Sequence, residues 1–193
     1  MTERKMYMNM TTLSVVLLAA GVLALVWLAA QYNLVVTLQE QAGRAWANVD
    51  VALGQRADLI PNLVATVRGY AAHERETLEQ VTALRAEARA ARTPGARLAA
   101  EEEIGRLLPR VLVQAERYPE LRASAAFLEL QRELARLETV IADRRELYNA
   151  ATTYVNILRR TFPTSLLARS VVPEALPLFQ APPDARAVPA VRF

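Results

Sequence analysis

From Met6 to Gln39 the chain carries no charged residue. Nothing else in the sequence restricts the fold so strongly. Within that stretch Met10 to Ala30 reads MTTLSVVLLAAGVLALVWLAA, and about 20 helical residues at ~1.5 Å each cross the ~30 Å hydrocarbon core of a bilayer. Tyr7, Trp27 and Tyr32 stand near the ends of the run, where amphipathic rings favour the headgroup region. A cleaved signal peptide is the rival reading, but its apolar region is only ~7–15 residues long and ends at a small-x-small site. Here the run is longer, and a helical pattern continues straight out of it. So long an uncharged stretch also argues against a buried core helix. The expected element is a transmembrane helix over 10–33, preceded by a short tail at 1–9.

Arg4 and Lys5 precede the helix and Glu40 is the first charge after it. Positive-inside bias favours a cytoplasmic N-terminus and an extracytoplasmic domain. Glu3 offsets the signal, and Arg44, Arg56 and Arg68 oppose it from beyond the helix.

Beyond the anchor, alanine, leucine, arginine and glutamate dominate, the composition of long helices. From Glu40 onward 21 arginines face 19 acidic residues, so this part is nearly neutral and lacks the one-signed basic face that phosphate binding needs. No nucleic-acid partner is expected. The absence of cysteine excludes disulfides, thiolate metal sites and cysteine nucleophiles.

Breaks are expected around Asp58–Pro61, at Arg92-Thr93-Pro94-Gly95, at Tyr118-Pro119 and at Phe162-Pro163. The first segment, roughly 34–56, continues the membrane helix with an apolar stripe at Leu34, Leu38, Ala42, Ala45, Val49 and Ala52 or Leu53. The second starts near Asp58, a capping residue, with Pro61 in its first turn. Alternatively, the first helix passes through Pro61 with a kink. This second segment carries Leu63, Val67, Tyr70, Leu78, Val81 and Leu84. The third, about 96–117, shows Leu98, Ile104, Leu107, Leu108, Val111 and Leu112, with Pro109 expected to bend it. In the fourth, Phe127, Leu130, Leu134, Leu137, Ile141, Arg144, Tyr148, Ala151, Val155 and Leu158 alternate three and four without a slip. Such stripes must pack together. The expected fold is all-α, an N-terminal transmembrane helix continuing into an antiparallel four-helix bundle over 34–162. Pairing of the stripes between chains is the alternative. Residues 163–193 hold six of the ten prolines, too many for a long helix. They form a Pro-rich tail that Phe179 and Phe193 can tack to a surface.

These residues resemble the LemA family. The likeness rests on Tyr32-Asn33-Leu34-Val35, Ala45-Trp46-Ala47-Asn48-Val49-Asp50-Val51-x-Leu53, Arg56-x-Asp58-Leu59-Ile60-Pro61-Asn62-Leu63-Val64 and Gly69-Tyr70-x-x-His73-Glu74. It extends through Tyr118-Pro119-Glu120-Leu121, Phe127-Leu128-x-Leu130-Gln131, Arg145-x-x-Tyr148-Asn149, Phe162-Pro163 and Pro189-x-Val191-x-Phe193. The resemblance implies a bacterial membrane protein with one N-terminal span and an antiparallel helical bundle, and no general biochemical activity. One branch of that family is linked to intracellular membrane compartments; other members tend to be encoded near membrane metalloproteases of the HtpX type. Pro109 and the extra prolines of the tail depart from the family's pattern.

Catalytic chemistry finds little footing. His73-Glu74 would need a second histidine at 77 for a zinc-protease motif, and that residue is threonine. The single histidine, the missing glycine-rich loop and the absence of a serine–histidine pairing leave no catalytic, metal or cofactor site and no small-molecule substrate. Glu101-Glu102-Glu103 reads as a solvated helix start favoured by the macrodipole. The polar set Asn48, Asp50, Arg56, Asp58 and Asn62 interleaves with apolar residues. Its structural reading has Asp58 and Asn62 satisfying backbone groups and Arg56 pairing with a carboxylate. Its functional reading makes Arg56, Asp58 and Asn62 a partner-docking tip about 35–40 Å beyond the membrane if the first helix runs straight. Trp46 is expected in the core rather than at an interface.

The leading expectation is a non-enzymatic, membrane-anchored scaffold or interaction protein of a bacterial cell membrane, its partners the bilayer and other proteins, with self-association an option. The alternative is an accessory subunit of a membrane enzyme such as an HtpX-type protease. An enzyme built from carboxylates and arginine alone is the remote third reading.

Overall fold

The computed structural model describes residues 2–70 and 75–180, with side chains from Thr12 onward. Its elements are six helices among the described residues: α1 (Thr2–Arg68), α2 (Arg75–Ala90), α3 (Pro94–Ala115), α4 (Pro119–Arg122), α5 (Ala125–Leu158) and α6 (Ser165–Val171). The described residues contain no strand. The chain divides into two compact units, with boundaries after Ala42, after Thr152 and after Leu176.

In the first unit α1 is exposed at every position from Thr12 to Ala30. Its most apolar 18-residue window has a mean hydropathy of 2.6 and none of it is buried. A core helix would be mostly covered; this helix is long and apolar enough to cross a membrane, and none of that window is packed within the described residues. Packing begins at Gln31, which is half-buried, and the first buried side chain is Val35. Val155 at the end of α5, Ala168 in α6 and Val172 are the other fully packed apolar residues beside Val35 and Ala42. Polar side chains then bind the chain that follows α6. Asn156 donates Nδ2 to the Leu176 carbonyl at 2.9 Å and accepts the Leu176 amide at 3.0 Å. Arg159 donates Nε to the Val172 carbonyl at 2.7 Å. The Phe162-Pro163 peptide is cis.

In the second unit the helices meet in two apolar clusters. One gathers Ile60, Leu63 and Val67 of α1, Leu78 and Val81 of α2, Ile104, Leu108 and Val111 of α3, Leu121 of α4, and Phe127 and Leu134 of α5. The other joins Val49, Ala52 and Leu53 of α1 to Leu98, Ile141, Tyr148 and Phe179. All ten residues of the α5 stripe, counted over both units, are buried or half-buried. The α1 stripe is shifted by one at its start, since Leu34 is exposed and Val35 is buried.

Of the two readings of the second segment, the structure carries the one in which the first helix continues through Pro61. Asp58 caps nothing, because α1 passes through it and through Pro61 to Arg68. A proline inside a helix lacks the N–H that would bond the carbonyl four residues back, here Ala57. Arg85 of α2 supplies the missing donor, its Nε lying 2.6 Å from the Ala57 oxygen. The break comes instead after Arg68, where glycine, a poor helix former, follows. Tyr70 is 45% exposed rather than part of a packed stripe. The third segment starts at Pro94, with Thr93 as N-cap accepting the Ala96 amide at 3.2 Å. Pro109 lies inside α3.

Beyond Phe162 the chain forms the seven-residue α6 and then no regular structure to Gln180. Phe179 is 5% exposed and sits in the second cluster. His73, Glu74 and Phe193 lie outside the described residues.

Candidate docking site around Arg56

Arg56 occupies a core position of α1, between Leu53 and Ile60 on the stripe that packs inward. It is 2% exposed and cannot meet a partner as part of a docking surface. Its Nη2 bonds Glu101 Oε2 at 2.6 Å and the Glu101 carbonyl at 3.0 Å, while Nη1 bonds Glu138 Oε1 at 2.8 Å. Burying a guanidinium costs several kcal/mol unless it is paired and hydrogen-bonded. Two helices, α3 and α5, contribute the carboxylates that pair it.

Glu101 corrects the reading of the glutamate run as a solvated helix start. Because α3 begins at Pro94, residue 101 lies two turns inside it and falls on the face of Leu98, Ile104, Leu108 and Val111. The side chain is only 1% exposed. Arg97 lies beside it, Nε 3.3 Å from Glu101 Oε1, and also reaches Asp50 at 3.3 Å. Its Nη1 donates to the Ala88 carbonyl at 3.0 Å. Glu102 and Glu103 do face outward to varying degree: Glu102 accepts the Gln180 amide at 3.0 Å and Glu103 pairs with Arg106.

Asp58 and Asn62 are exposed. Asp58 pairs with Arg89 of α2, and the Asn62 carbonyl accepts the Thr66 hydroxyl at 2.8 Å. The structure therefore separates the three residues, one inside the unit and two on its surface. Asn48 offers its carbonyl to Arg144 Nη1 at 2.7 Å.

A second polar and aromatic set holds the segment after Leu176. Trp46, Tyr148 and Phe179 form a ring cluster with centroids 5.4 to 6.2 Å apart, which places Trp46 in the packing. Arg145 stacks 4.5 Å above the Phe179 ring and donates to the Gln180 carbonyl at 3.0 Å. Burial pushes its pKa below the usual guanidinium value, with Glu102 opposing the shift. Asn149 brackets Phe179 by donating to its carbonyl and accepting its amide, both at 3.0 Å. Tyr148 donates to the Pro177 carbonyl at 2.8 Å, and its burial raises the phenol's pKa.

A cavity of about 470 Å³ opens between α3 and α5, walled by Leu108, Pro109, Leu112, Leu134 and Ala135, with Glu138 at its edge. Arg132 and Glu138 are its only ionisable lining groups, and Glu138 is engaged by Arg56. Among the described residues no group of three or more His, Cys, Asp and Glu is placed to hold a metal ion.

One exposed helix of membrane length and a helical unit locked by buried ions define a membrane-associated helical protein. A sequence model of the LemA family matches residues 45–193, and the chain belongs to that family. It is 27% identical to the magnetosome protein MamQ 2 of Paramagnetospirillum magneticum, over 72% of this chain and 60% of that protein. With magnetosome protein MamQ of Magnetospirillum gryphiswaldense it shares 26% identity over 79% of this chain and 67% of the relative. The chain thus spans about 60% of the length of the Paramagnetospirillum relative. The idea of an HtpX-type protease partner gains no support from these relatives.

Proposed function

We propose that this chain is a non-enzymatic, single-pass membrane protein whose helical domain binds other proteins and organises the bilayer around it. α1 crosses the membrane from a cytoplasmic N-terminus. The second unit, in which α1, α2, α3 and α5 act as an antiparallel four-helix bundle, is extracytoplasmic. The observation that carries this reading is the contrast along α1: every described side chain to Ala30 is exposed, while from Val35 an inward stripe is packed. A helix half clothed in protein and half bare is suited to lipid on its bare half. The likeness to the two magnetosome proteins supports membrane organisation as the process. Asp58 and Asn62 remain the surface residues proposed for partner docking, with Arg56 holding the helix that displays them.

Cross-linking in native membranes followed by native mass measurement tests the proposal. Homo-oligomers or co-purifying proteins, lost on Asp58→Ala/Asn62→Ala while the fold persists, are expected. A lone monomer with nothing attached would end it.

A further inference from the structure

The bend between α5 and α6 is an uncommon place for greasy side chains. Among the described residues Phe162 is 78% exposed and Leu166 73%. Both exceed the large apolar side chains of the α1 window, among which the highest value is Leu18 at 71%. The charge around them is one-signed. From Leu147 to Pro173 there is no acidic residue, while Arg159, Arg160 and Arg169 are basic. Arg159 is used within the fold, on the Val172 and Pro173 carbonyls. Arg160 and Arg169 are exposed, and neither has a carboxylate partner among the described residues.

The bend is also built, not frayed. Ser165 donates its amide to the Thr161 carbonyl at 2.8 Å, Ala168 to Thr164 at 2.8 Å, and Arg169 Nε reaches the Arg159 carbonyl at 3.3 Å. One polar contact ties it to α1. Thr164, 8% exposed, places Oγ1 3.3 Å from Oε1 of Gln31. Gln31 is the residue directly after the bare run of α1, between Trp27 and Tyr32, the two rings suited to the membrane interface.

We propose that the segment from Arg159 to Arg169 is a second membrane contact, in which Phe162 and Leu166 enter the interfacial layer of the bilayer that α1 crosses while Arg160 and Arg169 engage anionic lipid headgroups. The inference rests on α1 spanning the membrane. A group beside Gln31 is then level with the edge of the hydrocarbon, where an aromatic ring gains apolar burial and an arginine meets phosphate. A lipid surface suits this patch because it satisfies bare apolar side chains and unpaired basic ones together, and because the patch continues the lipid-facing surface of α1.

The chain has no cysteine, so single-cysteine labelling is unambiguous. The full chain carries an environment-sensitive fluorophore at Phe162→Cys or Leu166→Cys, with Val22→Cys as the span reference and Val113→Cys as a water reference. It is reconstituted in phosphatidylcholine vesicles with and without phosphatidylglycerol, and quenching by lipids spin-labelled at shallow or deep positions is read. Labels at 162 and 166 should be quenched by the shallow lipid and the Val22→Cys label by the deep one. Phosphatidylglycerol should strengthen the shallow signal, and Arg160→Gln and Arg169→Gln should each lower the docked-to-undocked ratio about fivefold in anionic vesicles. If both bend labels behave like Val113→Cys while Val22→Cys is quenched deep, the second contact is wrong and the anchor stands. If Val22→Cys is not quenched, the anchor fails and takes the second contact with it. Shielding of both bend labels in native membranes but not in either vesicle assigns the patch to a protein and overturns the proposal.

Discussion

At the scale of single residues, two charges inside apolar stripes determine how the second unit closes. Arg56 joins α1 to α3 and α5 through Glu101 and Glu138. Arg56→Met leaves the buried Glu101 carboxylate only its 3.3 Å contact with Arg97, so it should destabilise the domain by about 3 kcal/mol. Asp58→Ala breaks an exposed pair with Arg89 and should cost at most about 1 kcal/mol. Chemical denaturation in detergent separates the two, and equal losses would contradict the burial argument. Arg85 offers a cleaner test. Arg85→Met removes the donor to the Ala57 carbonyl and should cost about 1–3 kcal/mol. In a Pro61→Ala background residue 61 regains its own N–H, and the same substitution should cost less. A double-mutant cycle with no coupling would show that the contact does not compensate for the proline. Both features left traces in the sequence. Arg56 falls three residues after Leu53 and four before Ile60, and Glu101 falls midway between Leu98 and Ile104, so each charge sits where the period demands an apolar residue. One buried arginine and one buried glutamate predict a pair. A carboxylate partner for Arg56 was expected; what hid Glu101 as that partner was the start of α3, since a helix beginning near Ala96 leaves the glutamates close to its solvated end.

At the scale of elements, periodicity read well along α5 and along α3, even across Pro109, and poorly at the boundary expected near Pro61. Pro61 marks no boundary because a side chain from another helix repairs the lost bond, a contact between residues 28 apart that no local pattern contains. The segment through Phe179 shows the same limit from the other side. Its described residues hold one helix of seven residues, and the Asn149 clamp and the Trp46–Tyr148–Phe179 rings that hold the stretch around Phe179 come from distant elements. Phe179→Ala empties a buried aromatic site and should cost about 3–5 kcal/mol. In a Trp27→Phe background Trp46 emission should shift to the red, and an unchanged spectrum would mean that the rings do not pack. Tyr148 adds a pH signature. Burial holds its folded pKa above the ordinary value of 10.0, so its contribution to stability is complete below the unfolded phenol's range. That contribution disappears as pH rises through the folded value. Wild type should therefore lose stability more steeply than Tyr148→Phe in alkaline titration; parallel curves would count against a buried phenol.

At the scale of the whole molecule, the chain's relation to the bilayer was the most legible property and its direction the least. A run without charge from Met6 to Gln39 leaves little choice of environment for α1. Orientation depends on a few charges near its ends. Arg4 and Lys5 lie before the run, Glu40 is the first charge after it, and Arg44 comes only later. Orientation bias counts basic residues within about 15–20 positions of the span and gives acidic ones little weight. Arg56 and Arg68 lie at or beyond that reach, so their burial or exposure in the finished fold bears little on insertion. The N-terminal pair should therefore hold the start of α1 in the cytoplasm. Alkaline phosphatase fused after Phe193 should be active and a green fluorescent fusion at the same point dark. Arg4→Glu/Lys5→Glu leaves Arg44 as the nearest basic residue and should redistribute chains toward the opposite topology, with phosphatase activity falling and fluorescence rising. A wild-type fusion that fluoresces instead would place the helical domain in the cytoplasm and move the search for its docking partners there.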